Sequence, residues 1–275
     1  MKGKGMSLQD ATYVLRRGDE GARRLRLLAR VKWPSTRALL RRAGLGPGMR
    51  CLDVGCGTGE VTLKMARIVR PDGQAVGMDA DRAFVSHAQS EAGRLGVSAL
   101  FRRGDALREL GKGQYDFVYA RYLLTHLKEP SKALAGMVRA CKPGAAIAVE
   151  DVDFPGHVCY PTCRAFDRYL EWYQAVVRNH GGDPAIGPRL HALLMDAGLQ
   201  DVQVEISQPT FREGEGKLVA RVTLDHIRDA VVAAGIASHK EIDSVLAGLD
   251  EFARDPRSIM SIARTFQVWG RTPAQ

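Results

Sequence analysis

The residues most suited to chemistry lie in the stretch RCLDVGCGTGEV, residues 50–61. Gly55, Gly57 and Gly59 alternate in a turn that follows a short apolar run, and Asp53 stands just before them. Glycine allows the backbone to approach a ligand closely and to adopt dihedral angles that side chains forbid. The N-terminus of a following helix favours a negatively charged group such as a carboxylate or a phosphate. The stretch therefore predicts a binding site for a ligand that carries an anionic group.

A nicotinamide dinucleotide is one candidate for this ligand. Its usual turn has the spacing GxGxxG, which would require glycine at position 60 when it is placed on Gly55 and Gly57. Glu60 occupies that position, and its carboxylate would face a pyrophosphate unfavourably. The spacing therefore weakens the nicotinamide interpretation.

The elements that must position this turn follow from alternating apolar runs and amphipathic stretches. Strands are predicted at 49–55, 74–80, 98–105, 115–121 and 145–154, and helices at 60–70, 82–96 and 131–144. Repeated strand–helix units with short loops indicate a parallel sheet with helices on both faces. Ligands of such sheets lie outside the C-terminal ends of the strands, where the glycine turn falls.

The regular alternation ends near residue 155. A helix is predicted at 160–180 with a break at 181–184, then a helix, a glycine turn and a strand at 189–207, mainly helical chain at 211–262, and a last strand at 264–271. We interpret these helices as a cover over one sheet, to which aromatic residues such as Phe166, Tyr169, Trp172, Tyr173 and Phe211 contribute mostly core and a few pocket contacts.

Several motifs in order resemble those of class I S-adenosylmethionine-dependent methyltransferases. They are LDVGCGTG at 52–59, VGMDAD at 76–81, RRGDA at 102–106, YDFVYARYLLTHL at 115–127 and RACKPGAAIAVED at 139–151; KPGAA departs from the family, many members of which carry a second glycine there. The resemblance implies an α/β fold with a three-layer, Rossmann-like, seven-stranded sheet, mostly parallel with an antiparallel last strand, plus helical lid elements. It implies a basic N-terminal helical cap at 1–44 and a core at 45–155. The C-terminal part, 156–275, would belong to the same domain, with lid insertions at about 156–190 and 211–262.

The resemblance also implies S-adenosylmethionine as cofactor, with S-adenosylhomocysteine as product. The glycine turn would make room for the methionine portion, Asp79 would accept hydrogen bonds from the ribose hydroxyls, and Asp105 would accept from the adenine amino group. The full set of expected cofactor-binding residues is Asp53, Gly55, Cys56, Gly57, Gly59, Asp79, Ala80, Asp105, Ala106 and Arg121.

Candidates for catalysis and for acceptor binding lie beyond strands four and five. His126 has a pKa suited to base work near neutral pH, although a structural or cofactor-contacting role is equally compatible with its position. Asp151, the second catalytic candidate, points the same way as Asp153, because side chains two apart on a strand share a face. Either aspartate could instead cap a turn. The expected acceptor-binding residues are Asp153, His157, Tyr160 and Tyr13, the last on an N-terminal helix that, with Arg23 and Arg24, would fold over the pocket.

The leading functional hypothesis is methyl transfer to O, N or C of a small, fairly apolar metabolite, because the helical elaboration would enclose a substrate. The alternative is an RNA or protein methyltransferase, because residues 1–50 carry a net charge of +10 while the other residues balance to −1. Against it, apolar residues of EGARRLRLLARVKW recur at helical spacing and leave the arginines on a solvated face. A regulatory protein that only binds the cofactor is disfavoured by the intact Asp79 and Asp105.

Composition adds four expectations. No run of about 18 uncharged apolar residues occurs, so we expect no membrane span, and the N-terminus lacks the apolar stretch of a signal peptide. These features favour the cytoplasm. Five cysteines without a CxxC pair predict neither a disulfide framework nor a metal site. A homodimer is an open possibility, and nucleic acid is a disfavoured partner.

Overall fold

The computed structural model describes residues 19–108 and 110–274. The helices are α1 (Asp19–Arg42), α2 (Glu60–Ile68), α3 (Arg82–Leu95), α4 (Pro130–Ala140), α5 (Arg164–Asn179), α6 (Leu190–Asp196), α7 (Val219–Ala233) and α8 (His239–Arg254). The strands are β1 (Arg50–Val54), β2 (Gln74–Asp79), β3 (Ala99–Arg103), β4 (Tyr115–Arg121), β5 (Cys141–Asp153), β6 (Cys159–Tyr160), β7 (Gln200–Ser207), β8 (Thr210–Phe211), β9 (Ile259–Ser261) and β10 (Arg264–Arg271).

Seven strands form the main sheet in the order β3-β2-β1-β4-β5-β10-β7. The first five are parallel, and β10 runs antiparallel between β5 and the edge strand β7. Central strands are buried on both faces, which explains the nearly continuous apolar runs of β1 and β4. The predicted fold class is confirmed, with the antiparallel strand one place inside the sheet edge.

The boundary between the helix predicted at 131–144 and the strand after it differs from the structure. The helix expected to reach Gly144 ends at Ala140, and β5 begins at Cys141. Pro143 lacks the N–H that a helix interior needs, and Gly144 has a positive φ of 72°, so the backbone cannot remain helical there. Strands β6, β9 and β8 form a small antiparallel sheet that the sequence did not predict, because two or three residues carry too little alternation to be recognised.

The cover has a hydrophobic core of its own. Helices α5, α7 and α8 pack together through buried side chains, among them Phe166, Trp172, Leu224, Ile227 and Leu246. On α1, Leu27 and Leu28 pack against Val219 and Ile262, which joins the N-terminal helix to the cover. Together α1 and the cover close over the C-terminal ends of the central strands. No helix in the described part of the chain is long and apolar enough to cross a membrane.

Candidate active site

The glycine turn is built as its sequence suggests. Gly55, Gly57 and Gly59 have φ angles of 74°, 54° and 84°, a left-handed region that side chains rarely adopt. The N–H groups of Gly55 and Cys56 donate to the Met78 carbonyl at 2.7 and 3.0 Å, which holds the turn against β2. A Cβ at Gly59 would lie 2.8 Å from Ala88 and from the Phe101 ring. The turn therefore requires glycine for its dihedrals at all three positions and for space at the third.

Asp79 links this turn to the ends of the neighbouring strands. Its Oδ2 accepts a hydrogen bond from the Gly57 N–H and its Oδ1 from the Asp81 N–H, each at 2.9 Å. The Gly104 N–H donates to the Asp79 carbonyl at 2.9 Å, which brings Asp105 beside it. Burial raises the pKa of the Asp79 carboxyl.

The two carboxylates at these strand ends suit the nucleoside half of the implied cofactor. Each carboxylate oxygen has a second lone pair, so Asp79 can also accept from a diol. Asp105 is half-exposed and accepts from the Leu107 N–H at 2.9 Å. Ala80 is exposed beside Asp79, while Ala106 is buried beside Asp105. These donor and acceptor sets fit an adenosine.

Asp53 and Arg121 lie on the other side of the turn. The buried Asp53 carboxylate accepts a hydrogen bond from the Thr62 hydroxyl at 2.6 Å, and burial raises its pKa to about 6. The Arg121 guanidinium donates to the Thr36 hydroxyl at 3.4 Å and interacts electrostatically with Glu150 and Asp53. Its charge is therefore balanced by carboxylates.

A cavity of about 100 Å³ runs from the glycine turn to the cover. Its floor consists of β-strand ends and the glycine turn, and its roof of α1, α5, α7 and the chain around β9. Its lining includes Arg24, Leu25, Asp53, Gly55, Cys56, Gly57, Arg121, Tyr122, Thr125, His126, Phe154, His157, Tyr169, Tyr173 and Thr223. The predicted cofactor-binding turn and two of the predicted histidines thus meet at one cavity.

His126 is buried and His157 is partly buried, and both are held neutral. Burial, with the positive charges of Arg24 and His180, lowers the pKa of His126 to about 3. Burial lowers the pKa of His157 to about 4, and its Nδ1 lies 2.6 Å from the Phe154 carbonyl oxygen. Because a carbonyl only accepts hydrogen bonds, Nδ1 carries the proton and the His157 Nε2 has a free lone pair. His157 can therefore accept a proton or a hydrogen bond at Nε2.

Three other predicted residues in the described part of the chain, Asp151, Asp153 and Tyr160, do not line this cavity. The buried Asp151 carboxylate accepts from the N–H groups of Thr125 at 3.1 Å and Val152 at 2.8 Å, and burial raises its pKa to about 7. Asp153 is buried and paired with Arg264, whose Nε lies 2.8 Å from its carboxylate. Tyr160 is 67% exposed. Tyr13 lies outside the described residues. The roles expected of these four residues stay predictions.

A buried polar network near the cavity was not predicted from the sequence. Glu150 is fully buried and accepts from Thr36 at 2.5 Å, from Gln267 at 2.7 Å and from the Tyr119 hydroxyl. Lys32 on α1 is also fully buried, and burial lowers its pKa to about 8 despite the opposite charge of Glu150. The signal in the sequence was an acid inside an apolar strand. The network anchors α1 to β5 and β10.

Arg24 corrects one expectation about α1. The helical periodicity placed the arginines on a solvated face, but Arg24 is only 7% exposed and lines the cavity. The inward face of α1 is therefore wider than its apolar residues indicate, because long cationic side chains can bury their stems beside apolar ones.

Comparisons with known proteins agree with this architecture. Residues 45–178 match the family described as Methyltransferase domain. An uncharacterized methyltransferase of Schizosaccharomyces pombe is 25% identical over 80% of this chain and 77% of its own length. A 2-phytyl-1,4-naphtoquinone methyltransferase of Synechococcus elongatus is 32% identical over 49% of this chain and 55% of its own.

A solved structure shows the same fold. The phosphoethanolamine N-methyltransferase 2 of Haemonchus contortus, in complex with phosphomonomethylethanolamine and S-adenosylhomocysteine, superposes with a TM-score of 0.59 at 19% identity. The superposition covers 90% of this chain and 56% of that one. Residues 45–178 are therefore a methyltransferase domain, and its ordered motifs and glycine turn are similar to those of the class I S-adenosylmethionine-dependent type, for which S-adenosylmethionine is the cofactor.

Proposed function

We propose that this protein transfers a methyl group from S-adenosylmethionine to O, N or C of a small, fairly apolar molecule. The observation that carries the proposal is the cavity that connects the glycine turn with the aromatic roof of the cover. Small-molecule sites are concave and mostly apolar, with a few placed polar groups. Leu25, Phe154, Tyr169 and Tyr173 supply the apolar lining here, and the two neutral histidines supply polar groups.

The residues around the turn are proposed to hold the cofactor. Asp79 and Asp105 would bind the nucleoside, while the glycine turn, Asp53 and Arg121 would surround the methionine portion. When bound, the sulfonium supplies an already activated methyl group. The protein must then align a lone pair of the acceptor with that methyl group and exclude water. Alignment of two reactants lowers the activation barrier by about 7–11 kcal/mol in well-oriented systems.

A hydroxyl or protonated amine acceptor would also have to lose a proton. His126, the candidate from the sequence, and His157 both line the cavity in their neutral forms. His157 has the better-defined geometry, because the Phe154 carbonyl fixes its proton on Nδ1 and leaves Nε2 as acceptor. A general base is most effective when its pKa lies near the operating pH, and the pKa values of about 3 and 4 make both rings weak bases, so Nε2 of His157 would act mainly as the hydrogen-bond acceptor that orients the substrate. We therefore extend the proposed catalytic set from His126 to include His157.

The alternative, methylation of RNA or protein, rests on the basic N-terminal segment. Within the described part of that segment, Arg24 and Lys32 are buried. Arg30 pairs with Glu215 at 2.7 Å, and Arg42 pairs with Glu205. Of the described cations, two are thus buried and two are paired with glutamates at the surface, which favours a small acceptor over a polyanion.

The test is transfer of labelled methyl from S-adenosylmethionine into a host-cell extract, followed by separation into metabolites, RNA and protein. Asp79→Ala provides the blank, and Asp72→Ala, at an exposed position, is the matched control that should keep full transfer. Label in low-mass organic material supports the proposal. Label in RNA or protein would contradict it and favour the alternative.

A further inference from the structure

Arg24 is a buried cation without a carboxylate partner among the described residues. It is 7% exposed, lines the cavity, and donates from Nε to the Thr223 hydroxyl of α7 at 3.3 Å. A guanidinium stays protonated in proteins. Burying a charge that is not paired is strongly unfavourable. A cation so placed is therefore suited to a ligand that brings the opposite charge.

The carboxylates that also line the cavity are occupied elsewhere. Asp53 accepts from Thr62, and Glu60 accepts from the Thr58 hydroxyl at 2.6 Å. The groups that interact electrostatically with Arg24 are His126, Tyr169 and Tyr173, all of which are neutral when the histidine is unprotonated. None of these neighbouring groups in the described part of the chain offsets the positive charge of Arg24.

The orientation of Arg24 directs it toward the cover. The next residue, Leu25, contacts the glycine turn, since a Cβ on Gly57 would lie 3.0 Å from its Cδ1. Consecutive helix residues point about 100° apart, and Arg24 accordingly reaches Thr223 on α7. The Thr223 contact occupies Nε and leaves the two terminal nitrogens for the forked contact that carboxylates make with arginine.

We propose that the methyl acceptor carries a carboxylate, which Arg24 binds, while its apolar or aromatic body lies against Phe154, Tyr169 and Tyr173. This inference rests on the proposed function of the cavity. Its acceptor class is a small aromatic or apolar acid. The competing source of a carboxylate is the methionine portion of the cofactor, which we place at the glycine turn and not at Arg24.

The experiment uses the full chain saturated with S-adenosylhomocysteine. Binding of phenylacetate, cinnamate and indole-3-acetate is compared by calorimetry with binding of their primary amides, which match them in shape but lack the charge. Variants are Arg24→Met and Arg24→Gln, and the control is Arg23→Met at an exposed neighbouring position. Arg24→Gln keeps a polar side chain, so the pair separates a folding defect from loss of charge.

We expect at least one acid to bind the wild type about tenfold or more tightly than its amide, the scale of a charge-assisted hydrogen bond. Both Arg24 variants should lose the preference for the acid over its amide. Their affinities for the amides and for S-adenosylhomocysteine should stay within about twofold of the wild type. The control Arg23→Met should keep the preference for the acid. The inference is overturned if no acid is preferred, or if the Arg24 variants weaken S-adenosylhomocysteine instead. Failure of the wild type to bind S-adenosylhomocysteine would instead contradict the proposed function itself.

Discussion

The cleft has two halves that are built differently. The cofactor half consists of strand ends and one glycine turn. The turn is held against the next strand, 22 positions away for one of these contacts, by the Gly57 N–H, which donates to the Asp79 carboxylate, and the Gly55 N–H, which donates to the Met78 carbonyl. The acceptor half is assembled from α1, α5, α7 and the chain around β9, and a contact such as Arg24 to Thr223 joins residues 199 positions apart. Cofactor binding therefore depends on the geometry of the glycine turn and the neighbouring strand ends, whereas selectivity for the methyl acceptor depends on how segments distant in sequence pack together.

The largest expected effect is on the stability of the cofactor half. Gly59→Ala forces a side chain into φ 84° and places its Cβ 2.8 Å from Ala88 and Phe101. A left-handed dihedral costs about 1–2 kcal/mol and overpacking about 1–3 kcal/mol. Urea unfolding should therefore show a loss of about 2–5 kcal/mol. In the control Gly96→Ala, where φ is 60° but no atom lies within 4 Å, only the dihedral cost of about 1–2 kcal/mol should be lost. Equal losses in the two variants would refute the packing argument.

The second effect is a pH dependence in the acceptor half. The folded pKa of His157 is about 4, below the ordinary value of 6.5, so between these values the unfolded chain binds more protons than the folded one. The histidine therefore lowers stability progressively as pH falls from 6.5 to 4, by about 3 kcal/mol at the acid end. His157→Phe should reduce this slope in unfolding measured at a series of pH values.

The matched control for that pH series is His239→Phe, at an exposed position on α8, which should leave the slope unchanged. Other groups, such as Asp151, titrate in the same range, so the comparison is between variant and wild type at each pH. An unaltered slope in His157→Phe would show that this ring is not held neutral by burial.

The third effect separates the halves by binding. Asp79→Asn keeps the shape of the side chain but loses the charge-assisted acceptance of hydrogen bonds from the ribose hydroxyls. We expect the affinity for S-adenosylhomocysteine to fall about 10–100-fold in calorimetry. Asp72→Asn, an exposed neighbour in the loop before β2, should bind like the wild type. An unchanged Kd of Asp79→Asn for S-adenosylhomocysteine would show that the nucleoside does not bind at the end of β2.

The smallest effect lies at the far end of the cover. The Ser238 hydroxyl accepts from the Glu241 N–H, and the Glu241 carboxylate accepts from the Ser238 N–H, so the two form a capping box at α8. Ser238→Ala should cost about 1 kcal/mol of unfolding free energy without altering S-adenosylhomocysteine affinity. Ser244→Ala, exposed within the same helix, should be neutral. A change in cofactor affinity on Ser238→Ala would mean that the halves are more tightly coupled than their contacts indicate.

The same division explains what the sequence could predict. The glycine turn, Asp79 and the alternation of strands and helices along the chain follow from short motifs and local periodicity. Arg24, Tyr122 and the Glu150 network depend on tertiary packing: Tyr122 has a positive φ of 52° at the end of β4, and its hydroxyl lies 3.0 Å from the Thr265 hydroxyl. No local sequence pattern predicts such a residue, because its conformation is imposed by neighbours that are distant in sequence.

Asp151 and Asp153 show a limit of strand periodicity. Both face the same way, as alternation predicts, yet the Asp151 carboxylate is taken up by backbone N–H groups and that of Asp153 by Arg264. Periodicity gives the direction of a side chain but not its partner. His157, by contrast, reaches the cavity because the turn after β5 folds its ring back onto Phe154, at 4.5 Å between ring centroids.

The most direct test of the account is a crystal structure of the protein with S-adenosylhomocysteine. We expect the ribose hydroxyls to bind Asp79, the amino acid portion to lie along the glycine turn, and the sulfur to face the cavity that His126 and His157 line. A sulfur directed away from that cavity, or a nucleoside bound away from the ends of β2 and β3, would contradict it.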